Sequence, residues 1–321
     1  MILRLALLCV GAVLTFQAAA APVSPSASDP RVVAWIDPSN ALASYPKYRF
    51  ALQAGQDSNG QNIERDLTTF PEPGYLDWKV NQFTAMRGSD PANASKKAIR
   101  HKIIKGMAYR QDSGYQSARA SIMSRWSKTS PAVLRDGIPY WAAFAVYVGS
   151  DHPLDGTGDH ISILSLGHSV TSRNTQSMNK LDLRKDGKLR FWVQSNAVLD
   201  GTNATARGAV FDFPVQKGVW NYIVIQWKYE WEANKGPYTR LWHAVGDGVP
   251  VQRVNTTIAN AFRESAAYHP WKFGLYMWNV NTGWGSSSTR TMHTKGLYIL
   301  KDQAGTPTLN VNSMLALIRS K

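Results

Sequence analysis

Between residues 141 and 300 the chain is built from short runs in which apolar and polar residues alternate, each run closed by turn formers. A period of two sends successive side chains to opposite faces of an extended strand, so this pattern commits the chain to sheets. The clearest runs are Trp141–Val148, Ile161–Leu166, Leu189–Gln194, Tyr222–Lys228, Tyr238–Ala244, Trp271–Trp278 and Gly296–Leu300. Asp186-Gly187 and Gly246-Asp247-Gly248 supply hairpin turns between them. Helical periodicity is weak outside Ser313–Arg319 and a second stretch, Ile258–Ala267. Many short strands with regular turns predict an all-β fold, a sandwich or β-jelly roll.

The segment 269–279, His-Pro-Trp-Lys-Phe-Gly-Leu-Tyr-Met-Trp-Asn, separates two unlike faces. Trp271, Phe273, Leu275 and Met277 form a wholly apolar face suited to a core. Lys272, Gly274, Tyr276 and Trp278 form the other: a cation, a gap, a phenol and an apolar plate. Gly274 is expected to clear room where a ligand approaches the backbone. Such a face suits a flexible, negatively charged sugar chain, and an ordinary amphipathic strand fits it as well.

Three further strands are two-faced. In Leu189–Asn196, Arg190, Trp192, Gln194 and Asn196 oppose Leu189, Phe191 and Val193. In Arg119–Trp126, Arg119, Ser121, Met123 and Arg125 oppose Ala120, Ile122 and Trp126. In His160–His168, alternation places His160, Ser162, Leu164, Leu166 and His168 together, against Ile161 and Ile163. On one concave sheet these faces would assemble a groove of Arg, Lys, His, Tyr, Gln and Trp.

Residues 1–21 have the layout of a secretory signal peptide: Arg4, a mostly apolar run from Leu5 to Phe16, then Ala18-Ala19-Ala20 as a cleavage site. Residues 22–30, rich in Pro, Ser and Ala, read as a flexible leader, and 31–321 as one domain. The expected product is secreted, extracellular or periplasmic. The only cysteine, Cys9, lies in the cleaved part, so neither a disulfide nor a catalytic thiol is available. The formal charge of +14 falls to +13 when Arg4 is removed, and 12 Trp and 13 Tyr accompany it. A basic, aromatic, exported chain expects an anionic partner, and export favours a polysaccharide over a nucleic acid or a membrane.

The residues resemble a known group. Trp-Lys-Phe-Gly-Leu-Tyr at 271–276 is similar to the Tyr-Phe-Lys-Ala-Gly-Val-Tyr strand of jelly-roll alginate lyases. It is more similar to the Lys-Phe-Gly-Leu-Tyr pattern of polysaccharide lyases of the heparin lyase I and glucuronan lyase type. Leu166-Gly167-His168 falls where those families carry Gln-x-His, and Arg119-Ala120-Ser121-Ile122 where they carry Arg-x-Glu-Leu. Gly218-Val219-Trp220-Asn221-Tyr222 and Leu241-Trp242 resemble their Trp-led strand and later hairpin. The resemblance spans roughly residues 100–300, with Leu166 and Ser121 as departures.

It implies a concanavalin-like jelly roll with a concave substrate groove, acting on a uronate polymer by β-elimination. The C5 proton of a uronate leaves only when the neighbouring carboxylate is neutralised. A base must take that proton and an acid must protonate the departing O4, each contributing roughly 10²–10⁴ in rate. On this resemblance Arg119 neutralises the carboxylate, while Tyr276 and His168 move protons. Trp278 and Trp192 stack on sugar rings, Lys272, Arg125 and Arg190 hold flanking anions, and Gln194 and Asn196 assist. The expected enzyme is a monomer that requires no cofactor.

Weaker candidates remain. Asp151, Asp155 and Asp159, with His152 and His160, crowd a Gly-rich loop that could hold a structural calcium ion, though a solvated loop accounts for them too. Glu230 and Glu232 would mimic a glycosidase pair. The reading is therefore a lyase; the alternatives are a non-catalytic lectin-like module using the same groove and, after it, a glycoside hydrolase.

Overall fold

The structure, a computed structural model, describes residues 27–39, 48–52, 84–104, 109–110, 116–124, 128–154, 160–170, 177–277, 289–303 and 308–321, with backbone alone for several strand residues including Arg119 and His160. Two antiparallel sheets pack face to face as a β-jelly-roll sandwich. The first is ordered β14 (Val251–Thr256), β13 (Tyr238–Val245), β12 (Trp220–Lys228), β7 (Pro139–Val148), β16 (Thr289–Lys301), β4 (Asn93–Ile104), β3 (Thr84–Asp90), with β1 (Val32–Ile36) also on β16. The second is ordered β11 (Arg207–Pro214), β10 (Lys188–Ser195), β9 (Ser177–Arg184), β8 (His160–His168), β15 (Lys272–Met277), β6 (Gln116–Ser124), β2 (Tyr48–Leu52), with β5 (Tyr109–Arg110) on β6.

The seven strands expected from alternation all form; six end within two residues of their expected ends, while the one expected from Gly296 begins at Thr289. So do both hairpin turns, where Gly187 and Gly246 take φ of 74° and 53°. The core is the apolar face of each strand: Phe144, Ile223 and Trp227 from the first sheet meet Phe191, Phe273 and Leu275 from the second. Phe144 and Phe273 contact edge to face across the sheets, with centroids 5.5 Å apart. Burial of each such side chain contributes about 1.5–3 kcal/mol.

His101 of β4 also crosses the interior. Its Nδ1 lies 2.8 Å from the carbonyl of Ala120 on β6, and its Nε2 is 3.0 Å from Thr294 Oγ1. A carbonyl only accepts, so Nδ1 carries the proton and Nε2 accepts from the hydroxyl. Burial pushes the imidazole pKa down to about 4, so it stays neutral.

The helix α1 (Val311–Arg319) starts on a capping box between Asn310 and Ser313. It covers the outside of the first sheet, where Met314, Leu315 and Ile318 join Trp141, Tyr222 and Tyr298 in a second apolar cluster. One face of that sheet is thus core and the other is covered beneath α1.

The expected helix at 258–267 does not form. Asn260 is buried there and its amide donates to Lys228 O, Tyr238 O and Thr239 Oγ1 at 2.9–3.0 Å. These tertiary bonds hold the segment as irregular chain and override a weak periodicity.

Candidate functional site

Register builds the site. Across six adjacent strands of the second sheet, Arg119 stands opposite Tyr276, Tyr276 opposite Ser162, Ser162 opposite Asp182, Asp182 opposite Arg190, and Arg190 opposite Asp212. A second row runs Met123, Lys272, Ser165, Lys180, Trp192, Val210. Both rows lie on the outer face, because the residues between them on each strand, such as Ala120, Leu181 and Phe191, are core.

Asp182 is the hub. Its side chain is fully buried, yet it lies on the outer face and receives three donors. Ser162 Oγ donates to Oδ1 at 2.7 Å, Trp192 Nε1 to Oδ2 at 2.7 Å, and Lys180 Nζ approaches Oδ2 at 3.0 Å. These bonds fix the Trp192 plate, over which Lys180 and Arg190 sit 5.1 and 5.6 Å from the ring centroid. Arg190 grips Asp212 with two hydrogen bonds of 2.7 Å, which hold the Asp212 carboxyl below its ordinary pKa. Neither Asp182 nor Lys180 had been singled out as a site residue. Leu181 and Leu183 alternate with them just before the Asp186-Gly187 turn, which is the signal that could have revealed this strand.

Tyr276 and Lys272 are half-buried on the outer face, as the alternation of their strand requires. Gly274 between them has a different role from the one expected. Its φ is 130°, and a Cβ there would come within 2.4 Å of Ala120 O and 2.6 Å of His101 Nδ1. The glycine is demanded by the backbone and the core side. Ser121, its register partner, is buried.

Two expectations about β8 change. Leu164 and Leu166 are core residues, not groove residues. The cause is one extra residue in β8 against β9, between Ser162 and Leu164, which shifts the phase of the strand. Leu166 therefore does not occupy an outer-face position from which a glutamine would act. His168 stands opposite Ser177, and on β9, which runs without a bulge against β10, Ser177 is five residues from Asp182. At about 3.3 Å per residue His168 is about 16 Å along the strands from the Tyr276 row. Its Nδ1 donates to Ser169 O at 2.7 Å, which places the ring proton on that nitrogen. His160 is the histidine near Tyr276: it pairs with Arg184 in register, two residues from Ser162 on the same strand.

Of the remaining candidates, Gln194 is half-buried at the end of β10, opposite Gly208. Asn196 is buried and structural: its amide donates to Thr202 O and Thr205 Oγ1 and its oxygen accepts from Val198 N, bracing the loop behind β10. Arg125, Trp278, Asp155 and Asp159 lie outside the described residues, and Asp151 is exposed in a turn. Among the described residues no group of three or more His, Cys, Asp or Glu could hold a metal ion. Glu230 and Glu232 follow the end of β12, on the other sheet, ion-paired to Lys228 at 3.4 Å and Lys235 at 3.3 Å.

Behind the end of β8 lies a buried polar knot. Glu264 accepts from Ser169 Oγ and from Val170 N, and His269 reaches it through Nδ1 at 3.6 Å while Nε2 meets Asp136 at 2.9 Å. Burial alone would lower the His269 pKa, but the bonds to Asp136 and Glu264 outweigh it and the net shift is upward.

The fold and its outer face define the class as a jelly-roll sandwich with a polar, aromatic sheet surface. The chain is similar in fold to the endo-β-1,4-glucuronan lyase of the fungus Trichoderma reesei, at 12% identity and a TM-score of 0.49 over 67% of this chain and 85% of that one. It is also similar to alginate lyase A1-II′, of polysaccharide lyase family 7, at 12% identity and a TM-score of 0.49 over 83% and 99%. A third likeness is to a marine alginate lyase from Aplysia kurodai, at 14% identity and a TM-score of 0.45 over 71% and 90%. No protein-family model and no curated protein matches the sequence.

Proposed function

We propose that the protein is an exported polysaccharide lyase that cleaves a uronic-acid-containing polymer by β-elimination. The observation that carries this reading is the row in which Arg119, Tyr276 and Ser162 stand side by side on the outer face of one sheet, with Lys272 on the same strand as Tyr276. In the step itself a base takes the C5 proton, the electron pair forms the C4–C5 double bond, the C4–O4 bond breaks, and O4 takes a proton. Arg119 neutralises the uronate carboxylate, which lowers the barrier by about 3–4 kcal/mol for one well-placed donor. Tyr276 supplies the proton to O4. The base is drawn from beside that row, and the register, which sets His160 two residues from Ser162, favours His160 over His168 for that part. Lys272 and Trp192 position the neighbouring sugar units, and no metal or organic cofactor enters this chemistry.

The test is the ultraviolet absorbance of the conjugated product during incubation of the purified protein with a panel of polyuronates and glycosaminoglycans. A rise that Tyr276→Phe abolishes supports the reading. A flat trace on every polymer removes it, and retained binding in that case supports the lectin-like module instead. That second reading draws on Ser121, a buried hydroxyl where the resemblance implies a carboxylate.

A further inference from the structure

The outer face of the first sheet is covered over only part of its length. α1 and β1 seal it over Trp141, Ala143, Tyr298 and Leu300. Toward the other end of the same strands, Tyr147, Thr291, His293, Lys96, Arg100 and Lys102 are half-buried. Register sets them in rows. Trp220, Tyr147, His293 and Arg100 stand side by side on β12, β7, β16 and β4, and Thr291 stands opposite Lys102. The residues that alternate with them, such as Val146, Met292, Ile99 and Ile103, are core, so these rows point outward. Tyr147 meets the rings of Trp220 and His293 at 5.5 and 6.3 Å, edge to face, which fixes its position. Burial, with Arg100 adding to it, pushes the His293 pKa down to about 4, so the imidazole is a neutral hydrogen-bonding group among cations.

The outward positions of β3, β4, β16 and β7 carry four cations, Lys96, Arg100, Lys102 and Lys295, against one carboxylate, Asp90, a formal sum of +3. Asp90 is already committed: it lies 3.7 Å from Lys295 and accepts from Trp220 Nε1 at 3.0 Å. Groups at the border cancel in pairs, Asp247 with Arg319 beside Tyr222, Asp37 with Lys321, and Asp151 with Lys217. Asp302 is remote, bonded to Trp141 six residues along β7 from Tyr147. Among the described residues no carboxylate pairs with Lys96 or Lys102. These two lysines stand six residues apart on β4, about 20 Å at about 3.3 Å per residue.

We propose that this end of the first sheet is a second, non-catalytic surface for an acidic polysaccharide, which lies along β4 with its carboxylates toward Lys96, Arg100 and Lys102 and its sugar rings toward His293 and Tyr147. The inference takes the class of polymer from the lyase reading and nothing from the reaction. A line of cations along one strand suits an extended chain with charge on successive units, and its excess positive charge attracts such a chain. The aromatic and imidazole flank gives a sugar ring something to rest on that a simple anion does not use. The two sheets pack about 10 Å apart, so their outer faces look to opposite sides of the sandwich. A segment held here is therefore not the segment on the Tyr276 row, and a long polymer gains from both contacts together.

The experiment is calorimetric titration of the full chain with polyglucuronate and polymannuronate at low ionic strength, where exposed charges are least screened. Lys102→Gln should weaken binding about twofold to threefold, and Lys96→Gln/Lys102→Gln about threefold to tenfold. Lys97→Gln removes the same charge from an exposed position of β4 that alternates with the outward lysines, and should change binding by less than about 1.5-fold. Elimination of a uronate tetramer, too short to reach both faces, should stay within about twofold of the parent in the double variant. Equal losses in Lys97→Gln and Lys102→Gln would show that net charge alone matters and would overturn the inference, as would a double variant that binds like the parent. A double variant that loses single-stranded DNA but keeps the polyuronates would overturn the choice of occupant. If no polymer is cleaved while the double variant still loses affinity, the surface stands and the lyase reading falls; if neither polymer binds the parent, the surface falls.

Discussion

Asp182 gives the sharpest test of how the outer face is held. Its carboxylate is fully buried and takes Ser162, Trp192 and Lys180 as partners. In Asp182→Ala the Trp192 indole loses its acceptor and Lys180, whose side chain is 22% exposed, loses its counter-charge. Breaking a buried pair on one side costs about 3–5 kcal/mol, and the partial exposure of Lys180 places this one near the lower end. Asp182→Asn should cost less, about 1–3 kcal/mol, because an amide oxygen still accepts from Trp192 and the Ser162 hydroxyl can rotate to accept from the new amine. Trp192→Phe removes the indole donor from Oδ2 and keeps Lys180 beside it. A double-mutant cycle between Asp182→Ala and Trp192→Phe should therefore show a coupling of about 1–2 kcal/mol. Urea unfolding followed by circular dichroism measures each corner, with a common slope confirming that one transition is compared. Losses that add to within about 0.5 kcal/mol would refute the hub, since independent sites behave that way.

Gly274→Ala should destabilise by about 3–5 kcal/mol: the new Cβ would sit 2.4 Å from Ala120 O and 2.8 Å from Ser121 Cα, backbone atoms that cannot yield, at φ 130°. A thermal midpoint within about 2 °C of the parent would contradict this. The His269 pKa is raised in the folded protein, so its ion pairs stabilise fully below the unfolded pKa of about 6.5 and are lost as pH rises through the folded value. The gap in urea midpoint between the parent and His269→Gln should shrink as pH rises from about 6, and a constant gap would show that the charge is irrelevant. In the elimination assay Tyr276→Phe should lose at least about a hundredfold in kcat, and His168→Asn less than about tenfold because of its distance from the Tyr276 row. Equal losses in the two variants would put His168 back in the reaction.

The core was legible because it depends only on alternation. Trp271, Phe273, Leu275 and Met277 are all buried, and so are Leu189, Phe191 and Val193. Several other strands were not read at all. β4 carries Lys96, Lys97, Arg100 and Lys102, and these polar residues mask the buried apolar Ala98, Ile99 and Ile103. Alternation placed the site residues of β10 and β15 on the outer face and failed on β8. Arg190 and Trp192 were placed on the outer face by alternation, and β10 pairs with both neighbours in unbroken register. His168 was grouped with Ser162 by the same rule, but the rule fails across a bulge, which no count of apolar residues announces. Asn196 was misplaced for another reason, since it lies one residue beyond the strand end, where the backbone turns away.

The bulges also explain why the Tyr276 side of the face differs from the Trp192 side. Between the two rows, β9, β10 and β11 advance two residues, from Asp182 to Lys180, Arg190 to Trp192 and Asp212 to Val210. β8 advances three, from Ser162 to Ser165, and β15 and β6 four, from Tyr276 to Lys272 and from Arg119 to Met123. At about 3.3 Å per residue the contour between the rows grows from about 7 Å to about 13 Å across the sheet. Extra residues taken up in a bulge bend the strand that carries them. The ion pair Lys180–Asp182, which joins the two rows, thus belongs to the short-contour side. Lys272 and Tyr276 belong to the long-contour side, where the residue between them is Gly274 and nothing on β15 fills the interval. The interval between the rows widens across the sheet because β8 and β15 each carry one residue more than the neighbour before it.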